Sequence, residues 1–203
     1  LANSNVPRSA PVTLKQTSVT PVGNRRFLGR FCNDTVSLAL SGLPPHQALT
    51  VSFDLFVINS WDAHGPVSGG PDIWELGVSG GPTLIHTTFS NTEDANPFQA
   101  FPDNYPGGNH PARTGASENN SLGYGDSVYH LTFTFPHHGD GVILNFTAQG
   151  LYSLSDESWG LDNVRVELSP DPSNSMAFVR STLVPTHAAP LPTTNSVLRV
   201  AIS

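Results

Sequence analysis

Leu49–Asn59 reads LTVSFDLFVIN, and its alternation decides the fold class: Val51, Phe53, Leu55 and Val57 point one way while the residues between them point the other. Period-2 alternation over such a length marks a strand with one face in a core. The pattern recurs on both sides. TVSLALSGL, Thr35 to Leu43, sets Val36, Leu38 and Leu40 against Thr35, Ser37 and Ala39 before Pro44-Pro45 ends it. VYHLTFTFPH sets Tyr129, Leu131, Phe133 and Phe135 against His130, Thr132 and Thr134. IWELGVSGG and TLIHTTFS, separated by Gly80-Gly81-Pro82, read as a hairpin, and GVILNFTAQG and NVRVEL complete the set. One face in and one face out on every strand is what two packed antiparallel sheets satisfy. The expected fold is all-β, an antiparallel β-sandwich of the jelly-roll kind.

Composition agrees. Of 203 residues only 12% are charged, Lys15 is the sole lysine, and there are 18 Gly and 18 Pro, which removes helix formers and supplies helix breakers. The length suits one sizeable core. A net charge of -7, from 16 acids against 9 bases, leaves no basic run beyond Arg25-Arg26 and argues against nucleic acid or an anionic membrane as partner. No apolar run approaches the roughly 20 residues of a membrane helix, so no membrane insertion is expected. Cys32 stands alone, which excludes an intrachain disulfide and a thiolate-rich metal site. The chain begins at Leu1, as a mature form whose signal segment has been removed would, or a fragment.

Three regions follow: an extended tail over residues 1–21, the sandwich over 22–168, and a Pro-rich extension over 169–203. The tails are rich in Pro, Ser, Thr and Asn yet hold the strand-like pieces PVTLKQTSV, MAFVRSTLV and SVLRVAIS. Strand addition to a neighbouring subunit is one physical use for such pieces, since a sheet edge offers unpaired N–H and C=O groups. Within the sandwich, Asn91 to Asp126 is a long polar segment without a strong periodic pattern, and loops of that length are usually functional or disordered. Its Phe98, Phe101, Tyr105 and Tyr124 argue against simple disorder and for a binding surface.

The acids carry the chemistry. In NSWDAHGPVSGGPDIWEL, Asp62 and Asp72 flank a Gly/Pro loop beside Trp61 and Trp74. Two carboxylates with several backbone carbonyls make the oxygen-rich surroundings that calcium prefers. In DESWGLDNVRVEL, Asp162 sits before the final strand, either capping the turn through its own backbone or serving as a ligand. The ligand set expected for calcium is Asp62, Asp72 and Asp162, with Asn59 and Glu157 secondary. Trp61 and Trp159 are read as core anchors, and Trp74, Tyr105 and Tyr124 as aromatics able to meet a ligand. His137-His138 is a turn pair. Asn33, Asn119 and Asn145 head N-x-S/T triplets that admit glycosylation in a secretory setting.

No enzyme is expected. ESWGLD lacks the spacing of a paired glycanase carboxylate motif, Cys32 has no nucleophile signature, and G-x-S-x-G, H-E-x-x-H and phosphate-loop patterns are absent.

FLGRF, VSLALSGLPPHQALTVSFDLFVINSWD, GPDIWEL, GPTLIHTTFSN, YPGG, LTFTFPH, LNFTAQGL and DESWGLDNVRVEL together resemble a β-sandwich module of large secreted bacterial surface proteins. The module is similar to concanavalin A-like and carbohydrate-binding jelly rolls. The resemblance spans roughly Pro21 to Leu168 and is most specific in SWD, GPDIWEL and ESWGLDNV. It implies extracellular placement, a jelly roll, structural calcium and a non-catalytic role in adhesion or glycan binding. The module often carries Asp where this chain has Asn59, which leaves one charge fewer for a cation. Two expectations result: a self-assembling surface subunit joined by its tails, placed first, and a calcium-dependent carbohydrate-binding module.

Overall fold

The computed structural model describes residues 16–64, 70–92, 98–170 and 197–199. These form thirteen strands: β1 (Thr17–Val19), β2 (Arg26–Phe31), β3 (Thr35–Ser41), β4 (His46–Asn59), β5 (Ile73–Val78), β6 (Thr83–Thr88), β7 (Phe98–Gln99), β8 (His110–Pro111), β9 (Glu118–Asn119), β10 (Ser127–Pro136), β11 (Gly141–Gln149), β12 (Glu157–Pro170) and β13 (Val197–Arg199). No helix occurs among the described residues. One sheet runs β1-β2-β12-β4-β10-β9, with β13 also on β12; a second runs β3-β11-β5-β6. A third, small sheet pairs β7 with β8.

The two large sheets share one core, and the parity of each strand builds it. Val51, Phe53, Leu55 and Val57 of β4 are fully buried against Trp74 and Leu76 of β5 and Leu144 and Phe146 of β11. Phe53 meets Phe146 edge-on at 5.2 Å, and Trp74 meets Trp159 edge-on at 6.2 Å. Burying large aromatics and branched aliphatics, each worth about 1.5–3 kcal/mol, holds a fold that has no disulfide.

A smaller cluster forms on the outer face of the first sheet, where Phe27, Phe56, Ile58 and Val128 close around Leu122. Leu122 comes from the long polar segment, whose described part is held by identifiable contacts. Gln99, fully buried, accepts from Ser90 N–H, Arg113 N–H and the Tyr129 hydroxyl, and donates to the Phe101 and Thr114 carbonyls. Asp126, also fully buried, accepts the backbone N–H groups of Ser121, Leu122 and Tyr124 and closes the segment into a nest. Both side chains satisfy a loop's backbone where no ladder can.

The last strand differs from expectation. β12 begins at Glu157 instead of Asn163, with Glu157 to Asp162 in register with Asn59 to Asp54 of β4. Asp162 therefore lies within the strand, at a bulge that spans Asp162 to Arg165 and places Asn163 at φ 52°. The bulge restores inward parity for Val164, Val166 and Leu168. It also ends the pairing of β12 with β2, which covers Trp159 to Leu161 only. Beyond it, Arg165–Glu167 pair with Val197–Arg199 from the C-terminal extension. In the N-terminal region β1 pairs with β2. MAFVRSTLV and most of PVTLKQTSV lie outside the described residues.

Candidate functional site

Strand parity gathers acids at one end of the sandwich. Glu157 shares parity with Trp159 and Leu161, and Asp72 with Trp74 and Leu76, so both turn inward where β4 ends and β5 and β12 begin, while Asn59 ends β4 at φ 68° with its amide on the Ser155 carbonyl. Asp72 is 1% exposed and Glu157 is 4% exposed. The Asp72 carboxylate accepts Asp62 N–H at 2.6 Å, and Glu157 accepts Tyr152 N–H at 2.6 Å. The Asp72 N–H donates to the Ala63 carbonyl at 2.7 Å, which ties the loop after Trp61 to the head of β5. Two indoles fix the frame: Trp61 donates to the Ser158 carbonyl and Trp159 to the Cys32 carbonyl. Gly150 makes the close approach possible, because a Cβ there would lie 2.1 Å from the Pro71 carbonyl oxygen.

Burial dominates the electrostatics of the two innermost carboxyls of this rim. Burial, reinforced by the charges of Glu157 and Asp62 and opposed by the Asp62 N–H, pushes the Asp72 carboxyl up to about 8. Burial likewise raises Glu157, with Asp156 and Asp62 adding to the rise and Tyr152 N–H and Asp72 opposing it. No Lys or Arg is among the groups acting on either. Near neutral pH Asp72 keeps its proton and can share it with Glu157, as close carboxyl pairs do. Among the described residues, no group of three or more His, Cys, Asp or Glu side chains is set to hold a metal ion.

Of the expected ligand residues, the structure brings Asp62, Asp72, Glu157 and Asn59 to one rim and leaves Asp162 out. Asp162 has the opposite parity and faces the outer surface across from Asp54. Burial raises its carboxyl, while Asn163 N–H and Arg25 pull it down and Asp54 raises it. Asp156 accepts from the Ser60 hydroxyl at 2.7 Å. Alternation counted back from Leu161 was the signal that separates Glu157 from Asp162.

The expected aromatics also separate. Trp74 is a core residue with no exposed surface and cannot meet a ligand. Tyr105 is half-buried beside His64 and His86, with ring centroids 5.5 and 6.3 Å away. Tyr124, half-buried under the Arg30 guanidinium at 5.1 Å, borders an open cleft of about 340 Å³ with Asn59, Ser60, Asn91, Thr92 and Asp156. The triplet asparagines differ as well. Asn33 is exposed, but its amide is engaged in both directions with the Leu151 backbone; Asn145 accepts from the Ser37 hydroxyl in central β11; Asn119 is exposed on the short strand β9.

The fold and rim define an all-β, β-sandwich-like protein with a buried acidic edge. No protein-family model, curated protein or solved structure matches the chain.

Proposed function

We propose that the chain is a non-catalytic extracellular subunit, a jelly roll that assembles into a surface filament or layer by adding strand-like tail segments to neighbouring sheets. The observation that carries this reading is the pairing of Val197–Arg199 with Arg165–Glu167: a segment of the C-terminal extension adds to the edge that β2 leaves open. Residues 171–196 join the two, and 26 residues can span up to roughly 90 Å when extended, enough to reach a second copy. Exchange of the strand between copies then costs few contacts. The jelly-roll assignment is supported by strand order, β2-β12-β4-β10 over β3-β11-β5-β6, the arrangement that two Greek keys produce.

Paired cysteines test the exchange. With Cys32→Ser as background, Glu167→Cys/Val197→Cys and Val166→Cys/Leu198→Cys join positions in register. Oxidation of concentrated protein is expected to give a ladder of linked chains. Intramolecular bonds alone at every concentration would refute exchange.

Calcium belongs to the same reading. The donors at the rim are of the kind a hard cation takes: carboxyls of Asp62, Asp72 and Glu157, two of them buried and without a base. A bound calcium ion would supply the missing positive charge. Chelator is expected to lower the melting temperature and excess calcium to restore it, by binding the folded state alone. A transition unmoved by either removes calcium from the account.

A second reading, a secreted carbohydrate-binding or adhesion module, is favoured by the Tyr124 cleft, where an aromatic ring stands among amides, hydroxyls, Arg113 and Asp156, polar groups able to meet the hydroxyls of a sugar. A glycan array probed with calcium and with chelator tests it. Asn119 is the triplet where a glycan meets least obstruction.

A further inference from the structure

The four-stranded sheet is closed at one edge and open at the other. Beyond β6 the chain returns to fasten that edge: Phe101 N–H donates to the Thr88 carbonyl, Tyr105 N–H to the His86 carbonyl, and His86 N–H to the Asn104 side chain. β3, at the far end of the order β3-β11-β5-β6, pairs with β11 alone, and among the described residues no backbone hydrogen bond reaches its other side. Alternate residues of such a strand turn N–H and C=O groups outward, and the group that satisfies both is another strand.

Natural edges are blunted by shortness, charge, proline or a bulge. The end strands of the larger sheet are short, three residues in β1 and two in β9. β3 uses none of these devices. It has seven residues, Thr35–Ser41, with no charge, Pro or Gly among them, and its register with β11 runs from Thr35 to Ser41 without a bulge. Asp34 and Pro44-Pro45 stand just outside the run. The outer face of β3 carries only the small side chains of Thr35, Ser37, Ala39 and Ser41, while Val36, Leu38 and Leu40 turn to the core.

An edge of this kind accepts a strand of the same alternation, and β3 is itself such a strand. A slip of one residue would exchange the two faces, so antiparallel pairing of two copies keeps inward residues opposite inward ones. Overlap is complete when Leu38 meets Leu38. Val36 then stands opposite Leu40, Ser37 opposite Ala39 and Thr35 opposite Ser41, with no like charges across the seam. The relation is two-fold, each copy making the contact it receives, and two sheets of four strands become one.

We propose that β3 pairs with β3 of a second copy and that this seam joins tail-linked chains side by side into a layer. Tail exchange, the reading on which the seam rests, propagates in one direction, and a layer needs a second contact. One such pair is weak alone, as isolated two-stranded pairs are, so a chain ending at Pro170 remains a monomer. Repeated along a tail-linked line, the same contact gains from effective concentration.

Cysteine pairing in the full chain, with Cys32→Ser as background, reads the seam whether or not tails exchange. Oxidation of a concentrated mixture of Ser37→Cys chains with Ala39→Cys chains is expected to give linked dimers. Either variant alone should give few, because like positions are offset by two residues across the seam, too far for a disulfide. Ala39→Lys places a charge on the exposed face of the edge; it should unfold at the wild-type urea concentration and form single filaments where the wild type forms layers in electron micrographs. Absence of mixed linking, equal linking by either variant alone, wild-type filaments that stay single, or layers unchanged by Ala39→Lys would overturn the seam. Mixed linking in a chain whose tails do not exchange would uphold β3 pairing and refute the tail reading instead.

Discussion

In the presence of chelator the protein should lose stability as pH rises from about 4 to about 8, and Asp72→Asn should remove most of that loss. Asp72 is 1% exposed and its folded carboxyl is pushed up to about 8, against an ordinary value of 3.8. A raised acid binds its proton more tightly when folded. Its contribution is fully present below pH 3.8, shrinks as the unfolded chain ionises, and is gone above about 8. Each such proton is worth at most about 1.4 kcal/mol per pH unit, so the total reaches several kcal/mol. Asparagine has the shape of the protonated acid: it can accept from Asp62 N–H and donate toward Glu157. Urea unfolding across that range checks the expectation; parallel pH curves for the two proteins would contradict it. Excess calcium should reverse the ranking, raising the wild type at high pH and leaving the variant behind.

Gly160→Ala should destabilise the fold by about 3 kcal/mol or more. Gly160 and Gly29 face each other across β12 and β2, and the Phe27 ring lies over them. A Cβ at Gly160 would stand 2.4 Å from Phe27 Cδ2 and 2.8 Å from the Leu28 carbonyl oxygen. Overpacking typically costs about 1–3 kcal/mol, and displacing Phe27 from its contact with Phe56 at 5.1 Å adds to it. Phe27→Ala in the same chain should recover part of the loss, because the two changes share one contact. Simple additivity of the two single variants, measured by denaturant unfolding, would disprove the steric account.

How far residues alone disclosed this molecule varies by element. β4 was legible because Val51, Phe53, Leu55 and Val57 are large and alternate with Ser52 and Asp54, although Phe56 and Ile58 on the other face are buried as well. The hairpin through Gly80-Gly81-Pro82 was legible for a different reason, its turn chemistry: Gly80 adopts φ 71°. The long polar segment was not, because its described part is held by Gln99, whose contact with Tyr129 no local pattern specifies, and by Asp126, which satisfies the turn before it without any periodic signal. The acidic rim was half legible. Asp62 and Asp72 were placed together from their loop, but Asp162 was preferred to Glu157 because a strand was expected to begin after Leu161. The buried ladder of β12 on β4 starts five residues earlier than Asp162, and parity sends the two acids to opposite faces. Trp74 was ambiguous for want of a neighbour that fixed its face; pairing with Ala148 of β11 in the second sheet turns it inward.

Assembly through the tail is the central claim, and sedimentation velocity with electron microscopy of the full chain beside a version ending at Pro170 tests it most directly. The prediction is a concentration-dependent series of assemblies for the full chain and a folded monomer for the shortened one. Identical behaviour of the two, as monomers or as assemblies, would contradict it.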